Sequence, residues 1–240
     1  MSTILITGSS RRLGLYLTQH FLHLNKGNKV IAITRKINSE LKHLLKTNRL
    51  QVIEVDYADT SSIEKAIKDI KDDNEYINIM VHNASLYEKD NNNTDNLWKF
   101  YDNLYSVHMK MPVQLNEGLF TLISNKENPG SIIYITDIAA ENPNENASLY
   151  SSTKAASENL CKSYAKKFAP HVRVNSIQPG SILFMPTHTE EHREKRAKQT
   201  LLEVNPGFLP ILQGIEFITK NSFITGTSIK IDGGRSIYTP

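Results

Sequence analysis

A single cysteine, Cys161, stands among the 240 residues. An internal disulfide needs two, so none forms, and a structural zinc site built on thiolates is excluded for the same reason. A chain that leans on no disulfide suits a reducing compartment, and the cytosol is the expected location. Charge of one sign is scarce as well: 28 Lys and Arg face 25 Asp and Glu, leaving a net charge of +3. That balance points to neither nucleic acid nor a membrane surface. The basic residues also gather beside no platform of aromatic side chains on which bases could stack. Long apolar runs are absent, and none approaches the ~18 residues of a membrane helix. Met1-Ser2-Thr3 has no basic segment, and Ile4-Leu5-Ile6 is too short for the core of a secretion signal. Internal repeats and linkers rich in Pro, Gly or Ser are missing too.

What the chain does have is alternation. Thr3–Thr7 is a short apolar run ended by Gly8, the pattern of a buried strand. Leu13, Leu17, Phe21 and Leu24 then repeat at helical spacing. Strand-like runs recur at 29–34, 51–55, 77–81, 131–135, 172–177 and 228–231. Helical stretches fall near 39–48, 61–73, 96–124 and 150–168. Strands separated by helices pair in parallel with helices on both faces. The expected fold is α/β: a Rossmann-like, doubly wound parallel sheet in a three-layer αβα arrangement, one domain over 1–240. Asp90 to Asn96 reads as a polar loop tip. Pro179 to about Pro210 has no clear pattern, apart from a charged stretch over 189–202 that suits a surface helix. The segment at about 180–210 is read as a substrate loop.

Thr7-Gly8-Ser9-Ser10-Arg11-Arg12-Leu13-Gly14 follows the first strand and opens the first helix. Backbone N–H groups at a helix start attract phosphate, and glycine lets the phosphate come close. Strand and helix flank this turn as a dinucleotide site requires, so Gly8, Ser10, Arg11, Arg12, Leu13 and Gly14 are read as cofactor contacts. The second strand ends at Thr34-Arg35-Lys36. An acidic residue there would accept from the ribose hydroxyls of NAD; the basic Arg35, with Arg11 in the first turn, suits a 2′-phosphate instead, so NADPH is the expected cofactor. Asp56, after the third strand, could accept from the adenine amine or cap the helix that starts near Thr60. Tyr150 and Lys154 lie one helical turn apart on one face. An ammonium near a phenol favours the phenolate and lowers its pKa, and Lys154 can also hold the nicotinamide ribose.

Taken in order, Thr7-Gly8…Gly14, Asn83-Ala84, Tyr150-x-x-x-Lys154, Pro179-Gly180 and Ile224-Thr225-Gly226…Ile231-Asp232-Gly233-Gly234 resemble the short-chain dehydrogenase/reductase family over essentially the whole chain. The resemblance implies hydride transfer from the nicotinamide, Tyr150 as proton donor, and a homotetramer. It adds Asn83, Ala84, Ser85, Pro179, Gly180 and Ser181 to the cofactor contacts, beside Tyr150 and Lys154.

Three departures from the family pattern stand out. Arg12 replaces the usual middle glycine of the first turn, Asp137 the usual serine, and His108 the usual asparagine. Arg12, Asp137 and Asn83-Ala84-Ser85 together are typical of the pteridine reductase branch. A serine hydroxyl suits a ketone oxygen, whereas a pterin offers ring nitrogens and an exocyclic amine. A carboxyl group can accept from such donors, or deliver a proton when burial raises its pKa. Tyr87 offers an aromatic face for a flat ring. The expected reaction is NADPH-dependent reduction of the C6=N5 imine of a 7,8-dihydropterin or of dihydrofolate. Asp137, Tyr150 and Lys154 are the catalytic candidates, with Arg12, Ser85, Tyr87, Asp137 and Tyr150 lining the substrate. Protonation at N5 falls to Asp137, Tyr150 or a bound water. A carbonyl or alcohol oxidoreductase of the same fold is the alternative, with Asp137 and Arg12 against it. A non-catalytic NADP(H)-binding regulator is the other, with Tyr150 and Lys154 against it.

His108 is read as a structural histidine on the apolar side of its helix, and Cys161 as packing. His188-Thr189-Glu190-Glu191-His192 matches an inverted zinc-protease pattern but has no evident third ligand, so no metal is expected.

Overall fold

Seven strands run parallel in one sheet: β1 (Thr3–Thr7), β2 (Lys29–Thr34), β3 (Leu50–Glu54), β4 (Ile79–His82), β5 (Gly130–Ile135), β6 (Val172–Pro179) and β7 (Ser228–Ile231). Their order in space is β3-β2-β1-β4-β5-β6-β7. The computed structural model describes residues 2–182, 189–202 and 206–238. The helices are α1 (Arg12–Leu24), α2 (Ser39–Leu44), α3 (Thr60–Asp73), α4 (Leu97–Tyr105), α5 (Met111–Ile123), α6 (Ser148–Phe168), α7 (Glu190–Ala197) and α8 (Leu209–Lys220).

The two faces of the sheet bury separate apolar clusters. On one, Ile63 and Ile70 of α3, Leu115 and Leu119 of α5, and Tyr164 and Phe168 of α6 pack over Leu5, Met80 and Ile132. On the other, Leu17 and Phe21 of α1, Leu41 of α2, and Ile211 and Ile215 of α8 pack over Ile4, Val81 and Ile133. Coverage on both faces explains why the central strands read as unbroken apolar runs rather than alternating ones. The chain winds outward from β1 through β2 to β3, then returns to place β4 on the other side of β1. That reversal opens a crevice at the carboxyl ends of β1 and β4, where α/β sheets bind ligands.

Three local features depart from the pattern reading. The helix expected over 96–124 is interrupted at Ser106–Lys110 by a π turn, in which Met111 N–H reaches back to Ser106 O. Pro112 accounts for it. Proline has no N–H to give to the carbonyl four residues earlier, so the His108 carbonyl is released from the ladder and accepts the Ser157 hydroxyl at 3.1 Å instead. The segment Asp90–Asn96 is a run of 3-10 turns rather than an open tip. Asp90 Oδ2 accepts the Ser148 N–H at 2.7 Å and the Ser148 hydroxyl, capping α6 from outside the helix. Finally α8 lies where the pattern reading assigns no element, although Ile211, Leu212, Ile215 and Ile218 form its buried stripe. The charged stretch beyond 189 does contain a helix, α7. Residues 183–188 and 203–205 of the expected substrate loop lie outside the described residues.

Candidate active site

The turn after β1 is held open by backbone geometry. Gly8 has φ +71°, and a Cβ there would sit 2.8 Å from Ala84 Cα. The Ile33 carbonyl anchors three groups at once: Gly8 N–H at 2.8 Å, Ser9 N–H at 3.3 Å and the Tyr57 hydroxyl at 3.3 Å. Asn83 braces the turn from β4, its amide donating to the Thr7 carbonyl at 2.9 Å and the Gly8 carbonyl at 3.2 Å. The Asn83 amide nitrogen is thus engaged with the turn itself.

Helix α1 begins without a side-chain cap and without an acidic residue in its first turn. Its first N–H groups are therefore suited to an anion, aided by the helix dipole. Arg12 sits at the start of the helix with φ +51°. A left-handed backbone costs a non-glycine residue roughly 1–2 kcal/mol, so the chain retains the conformation of a glycine while placing a guanidinium there. Gly14 fits the same cradle: a Cβ would lie 2.1 Å from the Gly8 carbonyl oxygen and 2.7 Å from Asn83 Nδ2. Because the obstruction is backbone, Gly14→Ala is expected to lose about 2 kcal/mol, lowering Tm by several degrees and NADPH affinity at least tenfold. Thermal melts with and without NADPH measure both.

At the neighbouring end of β2, Arg35 and Tyr57 line a cavity of about 390 Å³ together with Asp56, Phe100 and Val107. The Arg35 guanidinium lies 6.0 Å from the Tyr57 ring centre. Asp56 does not cap α3; that cap is Asp59, which accepts from Ser61 N–H at 2.9 Å, while Asp56 Oδ1 accepts from Ala58 N–H at 3.0 Å.

Across the crevice, α6 carries Tyr150 and Lys154 to the end of β5. The Tyr150 hydroxyl donates to Asp137 Oδ2 at 2.8 Å. Asp137 Oδ1 accepts the Ala139 N–H at 2.8 Å, so the carboxylate is fixed by its own loop while its other oxygen faces the tyrosine. Burial, and then the charge of Asp137, holds the Tyr150 phenol well above its ordinary pKa, the opposite of the lowering expected from the Lys154 ammonium. Lys154 donates to the Ile135 carbonyl at 3.1 Å, and its nitrogen lies 5.6 Å from the Tyr150 ring centre. Burial pushes the Lys154 ammonium down to about 8, opposed by Asp137 and Glu158.

His108 closes the floor of this group. Its Nε2 takes the Leu86 N–H at 3.3 Å, so that nitrogen carries no proton, and the Ser85 hydroxyl, at 3.0 Å, donates to it. Nδ1–H then donates to Thr153 Oγ1 at 2.8 Å, and the Thr153 hydroxyl donates to the Tyr150 carbonyl at 2.8 Å. Burial, followed by the charge of Lys154, holds the imidazole well below its ordinary pKa. It is a neutral, fully engaged strut between Ser85 and α6. Tyr87, by contrast, is 53% exposed and meets Tyr150 edge-on, with ring centres 4.9 Å apart. Its free face is not core packing.

Pro179 ends β6, and the Gly180 N–H donates to the Ile231 carbonyl at 3.1 Å. A Cβ on Gly180 would meet Asp232 at 2.8 Å, so the Pro-Gly pair and the Asp232-Gly233-Gly234 tail shape one another. Asp232 in turn accepts from Gly234 N–H at 3.0 Å and Ser236 N–H at 2.7 Å. Ser181 lies just beyond, near the limit of the described residues. His188 and the His192 side chain fall outside them, and the described residues contain no cluster of three or more metal-ligating groups.

The short chain dehydrogenase family profile matches residues 2–197. The chain belongs to the short-chain dehydrogenase family. Dihydromonapterin reductase from Enterobacter sp. (strain 638) is 31% identical over 235 residues, covering 98% of this chain and 96% of that protein. The dihydromonapterin reductase of Escherichia coli O6:K15:H31 is 30% identical over the same length. Among solved structures, the alternative dihydrofolate reductase 1 of Brucella canis, complexed with NADP, superposes with a TM-score of 0.87 at 25% identity, covering 100% of this chain and 95% of that one. A 4-hydroxyisoleucine dehydrogenase complexed with NADH superposes with a TM-score of 0.89 at 22% identity, covering 100% of both chains; at that identity it shares the fold alone.

In this short-chain dehydrogenase the fold brings several of the motif positions together. Tyr150, Lys154 and Asp137 meet, Ser85 and Tyr87 border them, and the glycine turn faces the same crevice. Two participants were not read from the sequence. Thr153 links His108 to α6, and Glu158 lies one turn past Lys154. The signal for both is helical spacing: polar residues recurring on the buried face of α6 among apolar ones. No helix of the described residues is long and apolar enough to cross a membrane.

Proposed function

We propose that this protein is an NADPH-dependent pterin reductase, converting a 7,8-dihydropterin to its tetrahydro form, with dihydromonapterin as the leading substrate and dihydrofolate and dihydrobiopterin as related ones. The observation that carries the reading is the hydrogen bond from Tyr150 to Asp137, an acid–acceptor pair in place of the family's serine–tyrosine pair. The full-length relatives named dihydromonapterin reductase support it.

Bound NADPH supplies the hydride, delivered to C6 of the C6=N5 imine. The chain's own residues do the rest. Gly8, Gly14 and the uncapped start of α1 take the pyrophosphate, with Ser10, Arg11, Arg12 and Leu13 around it. Ala84, Ser85, Pro179, Gly180 and Ser181 border the nicotinamide side, and Asp56 the adenine. Lys154 holds the nicotinamide ribose. The pterin lies against the free face of Tyr87, with the Asp137 carboxylate accepting from its amine donors and Arg12 donating to its ring acceptors.

Tyr150 would serve as the acid: its phenol holds its proton at neutral pH, and the charge that hydride transfer leaves on N5 makes that nitrogen basic enough to take it. Its hydroxyl then turns about the C–O bond from Asp137 toward N5, and the Lys154 ammonium stabilises the phenolate left behind.

Arg35 is assigned to the 2′-phosphate. Arg35→Ala is expected to raise the KM for NADPH at least tenfold and to leave that for NADH within about twofold, since a charge-assisted contact is worth about 1.5–3 kcal/mol. Steady-state kinetics with the two cofactors measure the difference; equal effects would remove Arg35 from cofactor choice. The reading also places the protein in the cytosol as a homotetramer, and exposed Trp98, Tyr105, Phe217 and Phe223 are apolar side chains that subunit contacts would cover.

The test of function is NADPH oxidation with dihydromonapterin, dihydrobiopterin, dihydrofolate and a panel of ketones. Turnover of a pterin is expected. Turnover of a ketone with none of any pterin would overturn the reading in favour of a carbonyl oxidoreductase.

A further inference from the structure

Helix α6 carries a third ionisable group on the face of Tyr150 and Lys154. Glu158 lies one turn beyond Lys154 and is 8% exposed. Both its oxygens are engaged: Oε1 accepts the Thr136 hydroxyl, and Oε2 accepts the Ser176 hydroxyl at 2.8 Å. Two hydroxyl donors satisfy an ionised carboxylate. Thr136 directly precedes Asp137 and is tied to β6 by its own N–H, which donates to the Ile177 carbonyl at 2.9 Å. Ser176 lies on β6, three residues before Pro179. One carboxylate therefore joins α6 to the strand ends that carry Asp137 and the Pro179–Gly180 pair.

A buried carboxylate is costly unless opposite charge compensates it. The groups around Glu158 are buried Lys154 and exposed Lys162, one turn to either side on its own helix, the hydroxyls of Thr136 and Ser176, and the Cys161 thiol, which burial, and then the charge of Glu158, pushes up to about 12. Of the two ammonium groups, Lys154 is the buried one. The groups around Lys154 are Asp137 from the loop after β5, neutral His108 from the π turn, Tyr150 and Glu158. Asp137 faces the substrate and its hydrogen bonds change during turnover. Both oxygens of Glu158 are instead taken up by the Thr136 and Ser176 hydroxyls.

The geometry assigns Glu158 as a positioning residue for the reducing site: it sets a buried carboxylate one helical turn from Lys154 and pins the ends of β5 and β6 on either side of that pair. The assignment rests on Tyr150 and Lys154 as the reacting pair but not on which substrate they reduce. A carboxylate beside an ammonium raises its pKa, so removing the charge lowers the pH at which Lys154 loses its proton.

Glu158→Gln keeps the shape and removes the charge; Glu158→Asp keeps the charge and shortens the reach. The measurement is kcat/KM against pH with NADPH and whichever acceptor, pterin or ketone, is turned over. In the unsubstituted protein the alkaline limb is expected near the Lys154 value of about 8. Glu158→Gln is expected to move that limb down by about one unit, which is about a tenfold loss near pH 9 and less than about twofold near pH 6. Glu158→Asp should keep the limb while melting at lower temperature. An unmoved limb in Glu158→Gln, or an equal loss at every pH, would make Glu158 a simple strut and overturn the assignment. If Glu158→Gln fails to fold, a downward shift of the limb in folded Glu158→Asp overturns it instead. NADPH affinity against pH, read by fluorescence, needs no acceptor and should show the same displacement. A displaced limb without any pterin turnover would refute the substrate reading and leave Glu158 in place.

Discussion

Tyr150→Phe is expected to lower kcat about a thousandfold while NADPH affinity stays within about twofold of the unsubstituted protein, because a positioned acid contributes roughly 10²–10⁴ in rate. The substitution removes one oxygen from a 5%-exposed side chain whose ring packs against Phe100, Leu104 and Ala147. The ring remains, so packing and fold are preserved. What disappears is the hydroxyl held 2.8 Å from Asp137 Oδ2, together with the charge that Lys154 would balance after transfer. The cofactor cradle of Gly8, Gly14 and α1 is untouched. Stopped-flow kinetics and NADPH fluorescence separate the two effects. A kcat within tenfold of the original would remove Tyr150 as the acid and shift that role to Asp137 or water.

Asp137→Ser is expected to reduce pterin turnover by about a hundredfold or more and to raise ketone turnover from its baseline. The carboxylate is an acceptor only, matched to amine and N–H donors, while serine can donate to a ketone oxygen. Failing to pair a buried donor costs more than adding a contact gains, so discrimination should change more than affinity. A second consequence has a fixed sign. Asp137 raises the Tyr150 pKa and supports the Lys154 ammonium, so the variant should show both groups losing protons at lower pH. The measurement is kcat/KM for one dihydropterin and one ketone across pH. An unchanged ratio between them would show that Asp137 does not select the substrate.

Much of this arrangement is written in local pattern. The sheet is legible because β1, β2, β4, β5 and β6 are covered on both faces and so run apolar without interruption. The glycine turn is legible because only glycine tolerates the approach of Ala84 and the Gly8 carbonyl to positions 8 and 14. Tyr150 and Lys154 are legible because one helical turn separates them. Other features depend on contacts between distant segments. The role of His108 follows from Pro112, which frees a carbonyl and opens the π turn, and from Ser85 and Thr153, which come from β4's loop and α6. Neither partner is visible from residue 108 alone. Asn83 stands at an expected cofactor position, and its amide nitrogen braces the turn through the Thr7 and Gly8 carbonyls, a tie between two strands that residue 83 alone does not reveal. Glu158 looks like one more charged residue on a long helix until the fold buries it between Thr136 and Ser176. Helix α8 was within reach of its apolar spacing, but a polar and proline-bounded approach hides its start.

Locating the transferred hydrogen tests the central claim most directly. The enzyme is supplied with dihydromonapterin and NADPH deuterated at the transferring position of the nicotinamide, and the product is analysed by mass spectrometry and NMR. The pterin-reductase account predicts a tetrahydropterin carrying one deuterium at C6. A pterin recovered without label, beside a ketone reduced to an alcohol with deuterium on its carbinol carbon, would contradict it.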